Sequence, residues 1–127
     1  MATRSRIGKK LPDGTIKSIY CHWDGYPSHN GSILKEHYTD EAKVDALLEL
    51  GDLSVLGSEI GDQQDFYRRE THNENWCLAY GRDRGEKDTG ALIHKSIDDM
   101  CSEEYHYIYD NGTWSCYGSK EEVEYKF

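Results

Sequence analysis

Tyr105-His106-Tyr107-Ile108-Tyr109-Asp110-Asn111-Gly112-Thr113-Trp114-Ser115-Cys116-Tyr117 decides the fold class. Asn-Gly accepts the left-handed backbone that a two-residue hairpin turn requires, and the aromatic-rich runs on either side suit a pleated, half-buried surface. Residues 105–109 and 114–117 are therefore expected to pair. A second hairpin is expected near the other end, where residues 4–8 and 15–22 flank Pro12-Asp13-Gly14. There proline presets one dihedral and glycine admits a positive one.

Between the hairpins, Val44, Leu47 and Leu48 recur at helical spacing, with Asp40 as a cap and Gly51 as a stop, so residues 41–50 read as a helix. Ser28 is expected to cap a shorter helix through Ile33, Leu34, His37 and Tyr38. Residues 52–57 read as one further helical turn, 76–80 as a buried strand stopped by Gly81, and 82–88 as a charged loop. Leu92, Ile93, Ile97 and Met100 suggest a helix over residues 91–100, and the tail 120–127 a last helical turn. Residues 58–75 are mostly polar, with Phe66 and Tyr67 as anchors. Two hairpins, one strand and two or three helices imply the α+β class: one compact domain over residues 1–127, with a small, mainly antiparallel sheet covered on one face by the helices.

Composition limits the functions available. The chain has 127 residues, 31% of them charged and 36% hydrophobic, and ten of its fifteen aromatic residues are tyrosine. A tyrosine buries a large ring while its hydroxyl still needs a partner, so these residues serve either a thin core or a hydrogen-bonding surface. The net charge of −9 is uneven: Arg4, Arg6, Lys9, Lys10 and Lys17 give the first twenty residues an excess of four positive charges over Asp13. Duplex nucleic acid needs a basic face, so it is not expected as a partner. No secretory core or membrane-length apolar run is read, and Cys21, Cys77, Cys101 and Cys116 are expected as free thiols in a reducing host cytoplasm. No metal or cofactor is expected, because the cysteines and histidines form no close ligand pairs. The phosphate-loop, nucleophile-elbow and zinc-protease motifs are likewise missing.

Two clusters carry chemistry. Cys21-His22-Trp23-Asp24-Gly25-Tyr26-Pro27 puts a thiol, an imidazole, aromatic planes and a carboxylate where a strand exits into a loop. Cys21 and His22 point to opposite faces of a regular strand, so they cannot partner each other as nucleophile and base. His22 and Asp24 share a face, suited to a salt-linked pair more than to a metal. Tyr80-Gly81-Arg82-Asp83-Arg84-Gly85-Glu86 places two guanidinium forks between glycines, beside the ring of Tyr80. That chemistry suits phosphate or carboxylate; a solvated turn neutralised by Asp83 and Glu86 is the plain alternative. If both strand ends converge, His22, Trp23, Asp24, Tyr26, Tyr80, Arg82 and Arg84, with Arg4 or Arg6 in reserve, would form one ligand site.

The segments Ser18-Ile19-Tyr20-Cys21-His22-Trp23-Asp24-Gly25-Tyr26-Pro27 and Gly81-Arg82-Asp83-Arg84-Gly85-Glu86 resemble those of a group of small proteins encoded by bacteriophages and mobile elements. The likeness extends over most of the chain. It carries over no catalytic residue. It implies a setting in which small accessory proteins blunt host defences by sequestering a nucleotide signal or by occluding a host protein. The leading expectation is thus a non-enzymatic protein that sequesters a small anionic nucleotide. An acidic inhibitor seated on a basic site of a host protein comes second, supported by eight acids against two lysines in residues 97–127. A small hydrolase or phosphodiesterase is the weaker alternative, and self-association into a homo-oligomer is left open.

Overall fold

The computed structural model describes residues 3–96, 104–118 and 124–125. In chain order it contains β1 (Ser5–Lys10), β2 (Ile16–Cys21), α1 (Ser32–His37), α2 (Glu41–Leu50), β3 (Leu53–Val55), β4 (Leu78–Ala79), α3 (Tyr80–Arg84), β5 (Leu92–His94), β6 (Tyr105–Asp110), β7 (Thr113–Gly118) and β8 (Glu124–Tyr125). A π turn spans Pro27–Gly31 and a 3-10 turn Arg69–Thr71.

Both expected hairpins form. β1 and β2 pair antiparallel with Ile7 opposite Ile19. Their turn is tied by the Asp13 carboxylate, which accepts from the Thr15 hydroxyl at 2.6 Å and the Thr15 N–H at 3.0 Å. β6 and β7 pair through a turn in which Asn111 and Gly112 both take positive φ, 50° and 84°, as the sharp reversal demands.

What the sequence does not foretell is how the hairpins join. β1 and β6 run parallel, with Arg6 opposite His106. The sheet of the described residues is therefore mixed: β4-β3-β2-β1-β6-β7-β8, with β5 beside the other half of β2. This is an α+β fold.

Strand alternation sorts the side chains. Ile7, Ile19, Cys21, Tyr107, Tyr109 and Cys116 pack with Leu34 and Tyr38 of the α1 region and with Val44, Leu47 and Leu48 of α2. The buried tyrosines find hydrogen-bond partners: Tyr38 donates to Gly57 O at 2.8 Å, Tyr107 to Gly25 O at 2.6 Å and Tyr109 to Thr39 O at 3.2 Å. Tyrosine thus serves this core twice, as apolar filling and as an anchor for loops. On the opposite face, buried Arg6 donates to the Ser18 hydroxyl at 2.8 Å and to Ser18 O at 3.2 Å, so Arg6 is not a candidate for holding a ligand.

Asp40 caps α2 by accepting from the Ala42 N–H at 3.2 Å, and Gly51 ends the helix at a φ of 84°. Elsewhere the short elements differ from expectation. Residues 53–55 are strand, since Leu53 can pair with both Cys21 and Ala79. Residues 92–94 are also strand: Leu92 and Ile93 are largely exposed, so their spacing marked no core stripe. Residues 97–100 of that expected helix lie outside the described residues. Glu124–Tyr125 is strand rather than helical turn, and Tyr80–Arg84 is a short helix where a loop was expected. Ser28 sits within the π turn and does not act as a cap. Short apolar runs carry no resolvable period, so available sheet edges decide their state.

Candidate functional site

The tryptophan loop leaves β2 held against β3: the His22 N–H donates to Leu53 O at 3.0 Å and the Trp23 N–H to Ser54 O at 3.1 Å. Asp24 then takes a left-handed φ of 57°. Gly25 is required next, because a Cβ there would lie 2.8 Å from both Thr3 O and Ser5 Cβ. Its carbonyl is the one that Tyr107 grips. Fully buried Asn30 closes the loop, donating from its amide to Trp23 O at 3.3 Å and from its backbone to Asp24 O at 3.2 Å. The loop is built to hold two side chains outward. Trp23 is 41% exposed, braced edge-on by His22 at 4.8 Å, and His22 Nδ1 in turn lies 2.7 Å from the Tyr20 hydroxyl. The Tyr26 hydroxyl donates to Asp24 Oδ1 at 3.4 Å, and the charge of that carboxylate pushes the Tyr26 phenol up, keeping it a donor.

The facing wall comes from residues 61–75, a loop whose ends meet: the Glu59 N–H donates to Asn75 O at 2.9 Å and the Cys77 N–H to Glu59 O at 3.0 Å. Gly61 enters this loop at a φ of 71° with the Trp76 ring directly against it; a Cβ there would sit 2.3 Å from Trp76 Cγ. Such Ω-loops are packed by their own contacts, and here α3 supplies the clamp. Arg82 Nη1 donates to Ile60 O and Gly61 O, each at 3.0 Å, and Nη2 donates to Cys77 O at 2.8 Å. Its Nε pairs with Asp83 at 3.0 Å. The Asp83 side chain is fully buried and also accepts the Gln64 and Ala79 N–H groups, each at 2.7 Å. Phe66, swung inward by this clamp, lies 5.5 Å from the Tyr80 ring, and the Arg84 guanidinium covers both rings at 4.8 and 4.6 Å. Arg84 also pairs with Glu86.

Between the two loops lies a cavity of about 450 Å³ lined by Trp23, Asp24, Ser54, Val55, Phe66, Arg69, His72 and Leu78. His72 Nε2 is 2.7 Å from Asp65 O. A carbonyl only accepts, so this nitrogen carries the hydrogen and holds the ring in place. Tyr80 shares a side-chain hydrogen bond with Ser54, although burial is the larger influence and pushes its phenol up. A larger hollow of about 540 Å³ lies between the hairpin tips. Its cations are already neutralised: Lys9 by Glu41 at 3.0 Å and Asp45 at 2.8 Å, Lys10 by Asp110 at 4.0 Å.

Of the two sequence clusters only the first reaches the cavity; Tyr80, Arg82 and Arg84 do not line it. Trp23 and Asp24 line the cavity, while His22 and Tyr26 brace them. Tyr80 and Arg84 stand behind Phe66 as its support. Arg82 departs most from expectation: its fork faces backbone carbonyls instead of solvent, so it positions the loop and offers little to a ligand. Phe66, Arg69 and His72 were not foreseen as site residues. Their signal is the run Phe66-Tyr67-Arg68-Arg69, two aromatics beside two arginines in a stretch without periodicity.

No family model, curated protein or solved structure matches this chain. Among the described residues, no three His, Cys, Asp or Glu side chains group to hold a metal, and no helix is long and apolar enough to cross a membrane. Burial pushes the Cys21 thiol up to about 12 and the Cys116 thiol up to about 11, and raises Cys77 as well. Thiolate chemistry needs the opposite shift. Iodoacetamide at pH 8 should therefore leave these three cysteines unmodified in the native protein and alkylate all three in urea, as read by peptide mass spectrometry. Rapid native labelling of Cys21 would reopen a nucleophilic role.

Proposed function

We propose that this chain is a non-enzymatic accessory protein of the bacteriophage type that binds and sequesters a small anionic nucleotide. One observation carries the reading: two aromatic side chains, Trp23 and Phe66, the Arg69 guanidinium and the His72 imidazole line a single cavity of about 450 Å³. Ligand sites typically enclose roughly 300–1,000 Å³. A base gains about 1–3 kcal/mol by stacking on an aromatic platform, and arginine matches phosphate oxygens with two parallel hydrogen bonds. In a chain of net charge −9, a local cation inside a cleft is a specific provision for an anion. The acidic-inhibitor reading has less support, since two of the acids in residues 97–127 already have partners: Asp110 lies 4.0 Å from Lys10, and Glu104 accepts the Arg4 N–H at 2.6 Å.

Calorimetry with a panel of cyclic and ADP-ribose-derived nucleotides tests the proposal. Saturable one-to-one binding is expected, with the ligand recovered intact. An absence of heat with every nucleotide would defeat it. Recovery of a cleaved ligand would move the protein to the hydrolases, and a stoichiometric host protein retained in a lysate pull-down would favour the inhibitor.

A further inference from the structure

We infer that the nucleotide is a guanine nucleotide whose base is read by Asp24; this rests on the nucleotide reading above and narrows it. The starting point is an apparent contradiction. A cavity suited to an anion also contains a carboxylate, and a negative group beside a negative ligand is unfavourable unless it meets hydrogen-bond donors. Asp24 is not a stray rim residue. Its backbone is held in a left-handed conformation by the Asn30 N–H on its carbonyl, and its Oδ1 receives the Tyr26 hydroxyl. One long contact leaves most of the accepting capacity of a carboxylate available.

Arg69 and His72 come from the opposite wall, on the 61–75 loop, so the cavity has a carboxylate on one loop and an arginine cation on the other. A nucleotide fits that polarity with its phosphate toward Arg69 and its base toward Asp24, stacked on the adjoining Trp23. Base chemistry then selects. Guanine presents two neighbouring donors, N1–H and the 2-amino group, in register with the two oxygens of one carboxylate. Adenine and cytosine set a single amino group beside a ring-nitrogen acceptor, and uracil sets its N3–H between two carbonyls. Each of these turns a lone pair toward the second carboxylate oxygen. A paired, bidentate contact discriminates between bases on the order of 10–100-fold.

The test is calorimetry of the wild-type protein with GMP, IMP, AMP and XMP, repeated with Asp24→Asn. Asparagine tolerates the left-handed backbone at this position, and the GMP–IMP comparison needs no variant at all. GMP should bind about 10–100-fold more tightly than AMP, with IMP in between because it lacks the 2-amino donor. Asp24→Asn should lose the preference for GMP and gain affinity for XMP, whose C2 carbonyl accepts from the new amide. If GMP and AMP bind alike, if the variant keeps the wild-type ratio, or if only adenine or pyrimidine nucleotides bind, the guanine assignment falls and the nucleotide site stands. If neither these nucleotides nor the panel above bind, the nucleotide reading falls and takes this inference with it.

Discussion

Arg82→Ala is expected to cost about 3–5 kcal/mol of folding stability and to abolish ligand binding, although it removes no group that lines the cavity. The reason is the position of its guanidinium, which donates to three backbone carbonyls from two separate segments and to the buried Asp83 carboxylate. Alanine would leave those carbonyls short of a donor and Asp83 without its counter-charge. Breaking a buried pair on one side is far costlier than never having built it, because the remaining ion stays desolvated. The loss should fall locally first, on the loop that carries Phe66, Arg69 and His72.

Urea titration of the variant measures the global cost, and limited proteolysis under native conditions should show new cleavage within residues 61–75. Arg82→Lys should recover only part of the stability, since an ammonium keeps the charge but cannot span the carbonyls as a planar fork does. Arg84→Ala is the contrast. That side chain is exposed, stacks on Phe66 and Tyr80, and pairs with Glu86 at the surface; its removal should barely move the urea midpoint. Equal, small effects from Arg82 and Arg84 would mean that something other than α3 holds the loop.

This difference between two arginines in one motif explains how much of the molecule could be read beforehand. The hairpins at Pro12-Asp13-Gly14 and Asn111-Gly112 were legible because turn chemistry is local, and α2 was legible from Asp40, its apolar spacing and Gly51. β3 and β5 were not, because Leu53–Val55 and Leu92–His94 are too short to show a period and take their state from the free edges beside β2. The parallel pairing of β1 with β6 joins distant segments, and no local signal marks it. At the site, Trp23 and Asp24 stood out through the density of chemistry around them. A guanidinium between glycines, however, reads the same whether it faces water or carbonyls. Arg69 and His72 were hidden for a related reason: only the tertiary clamp of Arg82 and Asp83 brings their irregular loop opposite the tryptophan.

That geometry predicts a second large effect, this time on affinity with the fold intact. Trp23→Ala should weaken nucleotide binding by about 1–3 kcal/mol, the usual worth of a stacked base. Arg69→Ala should cost about 1.5–3 kcal/mol, the range for a hydrogen bond to a charged group. Both side chains are exposed, so neither change empties the core and thermal melts should stay near wild type. The two residues act on opposite ends of the ligand, and such separate losses add. The double variant should therefore lose about 2.5–6 kcal/mol, from somewhat under a hundredfold to a few ten-thousandfold in Kd. Salt separates the two contributions. Raising ionic strength screens the phosphate contact and should weaken the wild type and Trp23→Ala alike, while Arg69→Ala should respond less. An unchanged affinity and salt response in Arg69→Ala would place the phosphate elsewhere. The polarity assigned to the cavity, carboxylate toward base and cation toward phosphate, would then lose its electrostatic basis, because no other arginine lines that wall among the described residues.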